Sequence, residues 1–214
     1  MATDVTIDVF SDVVCPWCLI GKRRLERALA ALDGEVRAEL RFLPFELNPD
    51  LPKEGMARAD YLAAKFGGPD RAEAVYERVV SAAASDGLEL AFDRIARQPN
   101  TFDAHRLIAA AHGERVGPAV KDRLMQGYFQ EGRDLGDPAT LAELAAEAGM
   151  DRAVAEELLA GDAYADEVRA YEKAARDVGV TGVPFFILDG KLGVSGAQPP
   201  ETLVDAIRQA VAPS

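Results

Sequence analysis

Strand patterning is confined to the two ends of this 214-residue chain, and any fold it adopts has to reconcile those ends with a middle that shows none. Residues 5–10, VTIDVF, alternate Val5, Ile7 and Val9 against Thr6 and Asp8, the period of two that one buried sheet face requires. A helix follows, with Leu25, Leu29 and Leu32 on one face and Gly34 at its end. Ala38, Leu40 and Phe42 then alternate with Glu39 and Arg41 until Pro44 stops the second strand. A helix between two such strands reads as a right-handed parallel βαβ unit.

From Asn48-Pro49 to about Asp162 the alternation disappears and Ala, Glu, Arg and Leu dominate. Gly68-Pro69 opens a helix with Val75, Val79 and Ala82 on one face. Asp137-Pro138 supplies an N-cap followed by proline at the first helical position, ahead of Leu141, Leu144 and Ala148. Five or six helices are expected, without a repeat period. After a further helix ending near Gly179, VTGVPFFILDGKLGVSG carries a β-rich run at Phe185 to Leu188, Asp189-Gly190, and a second run from Lys191 to Val194. Asp-Gly between apolar runs predicts a hairpin, because a type I′ turn needs positive φ at both central residues. A last helix from Pro199 turns Leu203, Ile207 and Val211 inward. The order βαβ, helices, αββα is that of an α/β thioredoxin fold interrupted by an all-helical insertion. Residues 1–49 and 163–214 are expected to form one discontinuous thioredoxin-like domain, and residues 50–162 the inserted helical subdomain.

A chain of this length buries a core without the help of a disulfide or a metal. Its formal net charge of −12 disfavours nucleic acid and anionic lipid as partners. Residues 1–21 contain no Lys or Arg, and Thr3, Asp4, Thr6 and Asp8 interrupt any apolar run, so no secretory leader is read there. No stretch approaches the ~20 apolar residues of a membrane span. The expected location is the cytoplasm, where a stable structural disulfide is not expected.

That bears on the only two cysteines, Cys15 and Cys18, which stand where the first strand gives way to the first helix. A C-x-x-C pair serves as a redox dithiol, as half a zinc site, or as a staple. A closed zinc site needs four ligands, and the imidazoles His105 and His112 are seven residues apart, ~10.5 Å of axial rise on a continuous helix. No metal is expected, and each histidine reads as a helix residue satisfied locally. Pro16 suits the first helical position, which places Cys15 near the N-cap, facing unpaired N–H groups and the positive end of the helix dipole. Both favour thiolate, so Cys15 is expected to be the exposed attacking thiolate and Cys18 the buried resolving thiol. Asp12, three residues before Cys15, is a candidate proton acceptor or a like charge that raises the thiol pKa; a turn cap through its own backbone is the alternative. Val183-Pro184, entering the third strand, completes the site: in this fold that loop lies against the cysteine turn, and a cis bond there would leave the Val183 backbone free to pair with an extended substrate.

The chain resembles the DsbA-like branch of the thioredoxin superfamily, and within it the FrnE-like cytoplasmic group. The resemblance rests on FSDVVCPWCLIGKRRL, LPFELNPDLP, NTFDAHRL and GVPFFILDGKLGVSGAQPPETL, and covers essentially the whole chain. It implies a thiol–disulfide oxidoreductase with Cys15 as nucleophile, Cys18 as resolver and Pro184 as the cis-proline. The implied substrates are disulfide-containing proteins or small thiols, with glutathione or another thiol donor resetting the pair and no bound cofactor. The dipeptide between the cysteines is Pro16-Trp17, where strongly oxidising relatives carry Pro-His. Trp17 brings no charge to stabilise a thiolate, so the couple is expected nearer ~−270 mV than ~−120 mV.

Two other readings stay open. The related 2-hydroxychromene-2-carboxylate isomerases and kappa-class transferases use glutathione as a ligand, and Ser195, Gly196, Ala197 and Gln198 are candidate contacts for its γ-glutamyl end. A client-binding, chaperone-like module would instead expose Phe66, Phe102, Met125, Tyr128 and Phe129; aromatics at helical spacing are more often core.

Overall fold

A computed structural model describes residues 2–113 and 116–212. The first strand, β1 (Thr3–Ser11), buries Val5, Ile7 and Val9, and at its C-terminal end Phe10 and Ser11 are covered as well. Helix α1 (Pro16–Ala31) follows, then β2 (Val36–Pro44). β1 and β2 are parallel and pair from Thr3↔Val36 to Ser11↔Pro44, the expected βαβ unit. This register sets Asp4 opposite Arg37 and Asp8 opposite Arg41, and both arginines grip their partners through two nitrogens. Such exposed pairs contribute little because water screens them; the apolar face carries the unit.

The long middle stretch starts with β3 (Met56–Ala57), α2 (Arg58–Phe66) and α3 (Pro69–Ser85). A 3₁₀ turn (Phe92–Arg94) and β4 (Arg97–Gln98) come next. Four helices follow: α4 (Phe102–Gly113), α5 (Gly117–Phe129), α6 (Pro138–Glu147) and α7 (Arg152–Ala160). The sequence gives no sign of β3 and β4, which pair antiparallel over two residues each, because two-residue strands leave no alternation to read. Asp137 caps α6 as its spacing indicates, accepting from the N–H groups of Ala139 and Thr140.

After α8 (Ala165–Asp177) the chain returns to the sheet as β5 (Phe185–Leu188) and β6 (Leu192–Ser195), and α9 (Pro200–Val211) closes it. Asp189 and Gly190 have φ of 53° and 65°, the two positive values a type I′ turn needs, and Lys191 N–H bonds Leu188 O at 3.0 Å. β6 pairing starts one residue later than the sequence suggests, at Leu188↔Leu192. The sheet runs β2-β1-β5-β6, with β5 antiparallel to β1. One buried cluster extends from Val5 and Ile7 through Leu107, Leu124 and Leu144 to Ile207, so helices of residues 50–162 share a core with the sheet.

That shared core takes in the aromatics that a client-binding surface would have to expose. Met125, Tyr128 and Phe129 are buried, and Phe66 is partly covered, edge-on to Tyr76. Met125, Tyr128 and Phe129 fill the interior because α5 turns its apolar stripe inward. No helix among the described residues is long and apolar enough to cross a membrane.

Candidate active site

β1 ends in a tight turn, closed by Cys15 N–H to Asp12 O at 3.2 Å, that delivers Cys15 to the N-cap of α1. The Cys15 carbonyl takes the first helical bonds, from Cys18 and Leu19 N–H at 3.0 and 3.4 Å, while its side chain caps nothing. Pro16 occupies the first helical position, and no acidic residue stands in the first turn to neutralise the positive end of the helix. The two cysteines are unbridged.

Cys15 is not exposed as the sequence suggested: it is 4% accessible, against 2% for Cys18. The return loop covers it, and its Sγ donates to the Val183 carbonyl at 3.6 Å across 168 residues of sequence. The exposed member of the motif is Trp17, at 38%. Burial, and next the Cys15 thiol, push the Cys18 pKa well above that of a free thiol; the Lys121 ammonium and the Asp12 main chain act the other way.

The Val183–Pro184 peptide is cis, and Gly196 N–H bonds Pro184 O at 2.8 Å. Pairing of Phe10 with Phe185 brings this loop beside the end of β1. On the other side it rests on Gly21, where an added Cβ would lie 2.8 Å from Pro184 Cγ and 3.5 Å from the Ala197 Cβ. A glycine inside a helix costs about 1 kcal/mol relative to alanine, and here it is the space the loop needs. Gly21→Ala is therefore expected to lower the melting temperature despite its better helix propensity, since overpacking costs about 1–3 kcal/mol. It should also slow thiol attack at Cys15 by displacing Pro184. A raised melting temperature with unchanged attack would show that the contact is dispensable.

Segment 195–198 is brought against the same loop, but its polar groups are largely engaged. Gln198 Nε2 donates back to Ser195 O at 2.8 Å, Gln198 N–H bonds Gly196 O, and Ala197 O accepts from Arg24. Asp12 is wholly buried. Its Oδ2 accepts from Leu47 N–H at 2.8 Å and its Oδ1 from Val14 N–H at 3.5 Å, so the turn-capping role is present. His105 Nε2 lies 3.4 Å from Asp12 Oδ1. His112 Nε2 meets Phe42 O at 3.0 Å.

Two features escape the sequence reading. Lys121 is buried and its charge acts on Cys18, although on a helix it reads as a surface charge. Its signal is register: Lys121, Leu124, Met125, Tyr128 and Phe129 form one stripe of α5, and the lysine heads the apolar face. The second is a carboxylate pair behind Asp12. Glu172 Oε1 accepts from Glu46 N–H at 2.9 Å, and burial, then Glu172 and Asp12, push the Glu46 carboxyl up to about 8.

The chain is 30% identical to Bacillus subtilis YwbO over 204 residues, covering 95% of this chain and 96% of that protein. It is similar to the crystal structure of a probable DsbA oxidoreductase from Streptomyces coelicolor, with 40% identity, a TM-score of 0.89, and coverage of 96% and 89% of the two chains. The fold is shared with the cytosolic disulfide reductase DsbM of Pseudomonas aeruginosa, solved with GSH, at 19% identity, a TM-score of 0.65, and coverage of 95% and 98%. The profile of the DSBA-like thioredoxin domain matches residues 6–208, so a C-x-x-C turn at a helix N-terminus, facing a proline loop across the sheet, stands in a chain that belongs to the DSBA-like thioredoxin domain family.

Proposed function

We propose that the protein is a thiol–disulfide oxidoreductase that works through the Cys15/Cys18 dithiol. The observation that carries this reading is the Cys15 Sγ at the N-cap of α1, bonded to the Val183 carbonyl. A substrate disulfide approaching there meets the sulfur, the open helix terminus and the Val183 main chain together. Cys15 thiolate attacks one substrate sulfur, the Cys15–substrate bond forms, and the first substrate thiolate leaves. Cys18 thiolate then attacks Cys15 Sγ, closing the Cys15–Cys18 disulfide and releasing the second substrate thiolate. The buried, proton-retaining Cys18 suits the second role. Glutathione or another small thiol would return the pair to the dithiol.

Trp17, the only tryptophan, lies between the two sulfurs and reports on them. Titration of its fluorescence against glutathione buffers of known poise should show one reversible two-electron transition that Cys18→Ala abolishes. The midpoint is expected nearer ~−270 mV than ~−120 mV, and a value above about −150 mV would overturn the reducing assignment. Identical responses of both proteins, without disulfide formation, would favour glutathione bound as a ligand over dithiol exchange.

A further inference from the structure

Three polar residues stand where the patterning of their elements calls for apolar ones. Ser11 continues the buried β1 stripe of Val5, Ile7 and Val9. His105 lies among the buried Ala104, Leu107 and Ile108 of α4, and Lys121 heads the apolar face of α5. None of the three is more than 3% accessible. All three line one cavity of about 580 Å³ between β2 and helices α4, α5 and α8. Breaks in pattern on three elements that meet at one cavity mark a site rather than a core.

The bonding of these groups is incomplete. Ser11 Oγ and His105 Nε2 are buried without a hydrogen-bond partner; Asp12 Oδ1 stands 3.4 Å from the imidazole nitrogen without a hydrogen bond. Lys121 Nζ donates to Met125 Sδ at 3.2 Å and lies 4.7 Å from the centroid of the Phe42 ring, and neither partner is an anion. Among the described residues no carboxylate is within ion-pair distance of it, and the neighbouring Asp122 is taken by Lys22 at 2.8 Å. An ammonium buried without a counter-ion is strongly disfavoured.

Most of the remaining wall is apolar: Leu40 and Leu43 of β2, Ile108 and Ala109 of α4, Pro118 of α5 and Tyr171 of α8. Its other polar groups are Glu39, Arg41 and Glu167, exposed at the mouth, and His112, which is engaged with Phe42 O. Arg41 is already paired with Asp8. The volume is that of a small-molecule site.

We propose that this cavity binds a small monocarboxylic acid. The carboxylate pairs with Lys121, Ser11 and His105 supply further hydrogen bonds, and the apolar body lies along Leu43, Ala109 and Tyr171. One lysine balances one negative charge. Asp12 behind His105, with Glu39 and Glu167 at the mouth, disfavours a dianion such as a phosphate ester. Neither cysteine lines the cavity, so the site is separate from the exchange centre proposed above.

Isothermal titration calorimetry with octanoate, octanol and octylamine tests the assignment, since the three share one body and differ in the head. Wild type should bind one octanoate per chain, at least about tenfold more tightly than octanol, the scale of a charge-assisted hydrogen bond, and should not take octylamine. Lys121→Met should reduce octanoate to the level of octanol. Ala109→Trp, which fills the cavity from its half-buried wall, should abolish binding of both, with melting curves showing that each variant folds. The Ala109→Trp result and the comparison of head groups decide the matter even where Lys121→Met does not fold. Octanoate that fails to bind, that binds no better than octanol, or that keeps its advantage in Lys121→Met overturns the proposal. Binding that survives Ala109→Trp overturns it as well, by placing the ligand elsewhere.

Discussion

Cys15→Ser is expected to abolish disulfide exchange, with the first thiolate release falling by at least about 10³-fold, because the hydroxyl cannot replace the nucleophile. Cys18→Ser should behave differently: the first release proceeds, turnover stops, and Cys15 stays locked in a mixed disulfide that mass spectrometry detects as an adduct. The asymmetry follows from position. Cys15 stands at the N-cap of the helix and meets the Val183 carbonyl, whereas Cys18 lies buried one turn inward, where burial raises its pKa. The substitution at Cys18 also separates enzyme classes. A glutathione-using isomerase of the same architecture needs no resolving thiol, so Cys18→Ser with full turnover and no adduct would replace dithiol exchange by that chemistry.

Much of the scaffold is legible because it rests on short-range chemistry. The period of two in VTIDVF, the Asp-Gly turn and the Asp137-Pro138 cap each specify their structure from neighbouring residues, and the βαβ order follows from them. Cys15 at an N-cap is of the same kind, since Pro16 and the helix pattern behind it leave one place for the sulfur. What stays hidden depends on chain segments far apart in sequence. Gly21 reads as a weak point in a helix until Pro184 is packed on it. The covering of Cys15 needs a loop 168 residues away. Lys121 looks like one of many surface charges until α5 is seated on the core with that face inward.

The same contrast explains how the helices of residues 50–162 relate to the cysteine turn. They share its core, as Leu107, Leu124 and Leu144 show, they place His105 Nε2 3.4 Å from Asp12 Oδ1, and their Lys121 acts on Cys18 through its charge. A minimal βαβ and αββα scaffold contains neither residue. Helices α4 and α5 therefore contribute to the electrostatics of Cys18 and Asp12 as well as to the core beneath them.

Behind Asp12 the Glu46–Glu172 pair makes stability depend on pH, and the sign follows from Glu46. Burial and the two neighbouring carboxylates hold its folded pKa at about 8, above the ordinary glutamate value that the unfolded chain retains. Between those values the folded protein keeps a proton that the unfolded chain releases, so stability is fully present below the unfolded pKa and is lost as pH rises through about 8. Each pKa unit corresponds to about 1.4 kcal/mol. Glu46 is only partly buried and water screens it, so an effect of about 1–2 kcal/mol is expected rather than the full product. Glu46→Gln removes the titration and lets its amide donate to Glu172. Relative to wild type it should gain roughly 3–6 °C in melting temperature at high pH, at about 2–4 °C per kcal/mol for a chain of this size, and almost nothing near pH 4. Melting curves of the two proteins from acid to mildly alkaline pH decide the matter. Curves that stay parallel throughout would mean that Glu46 titrates like a free glutamate and that the pair stores no proton beneath the active site.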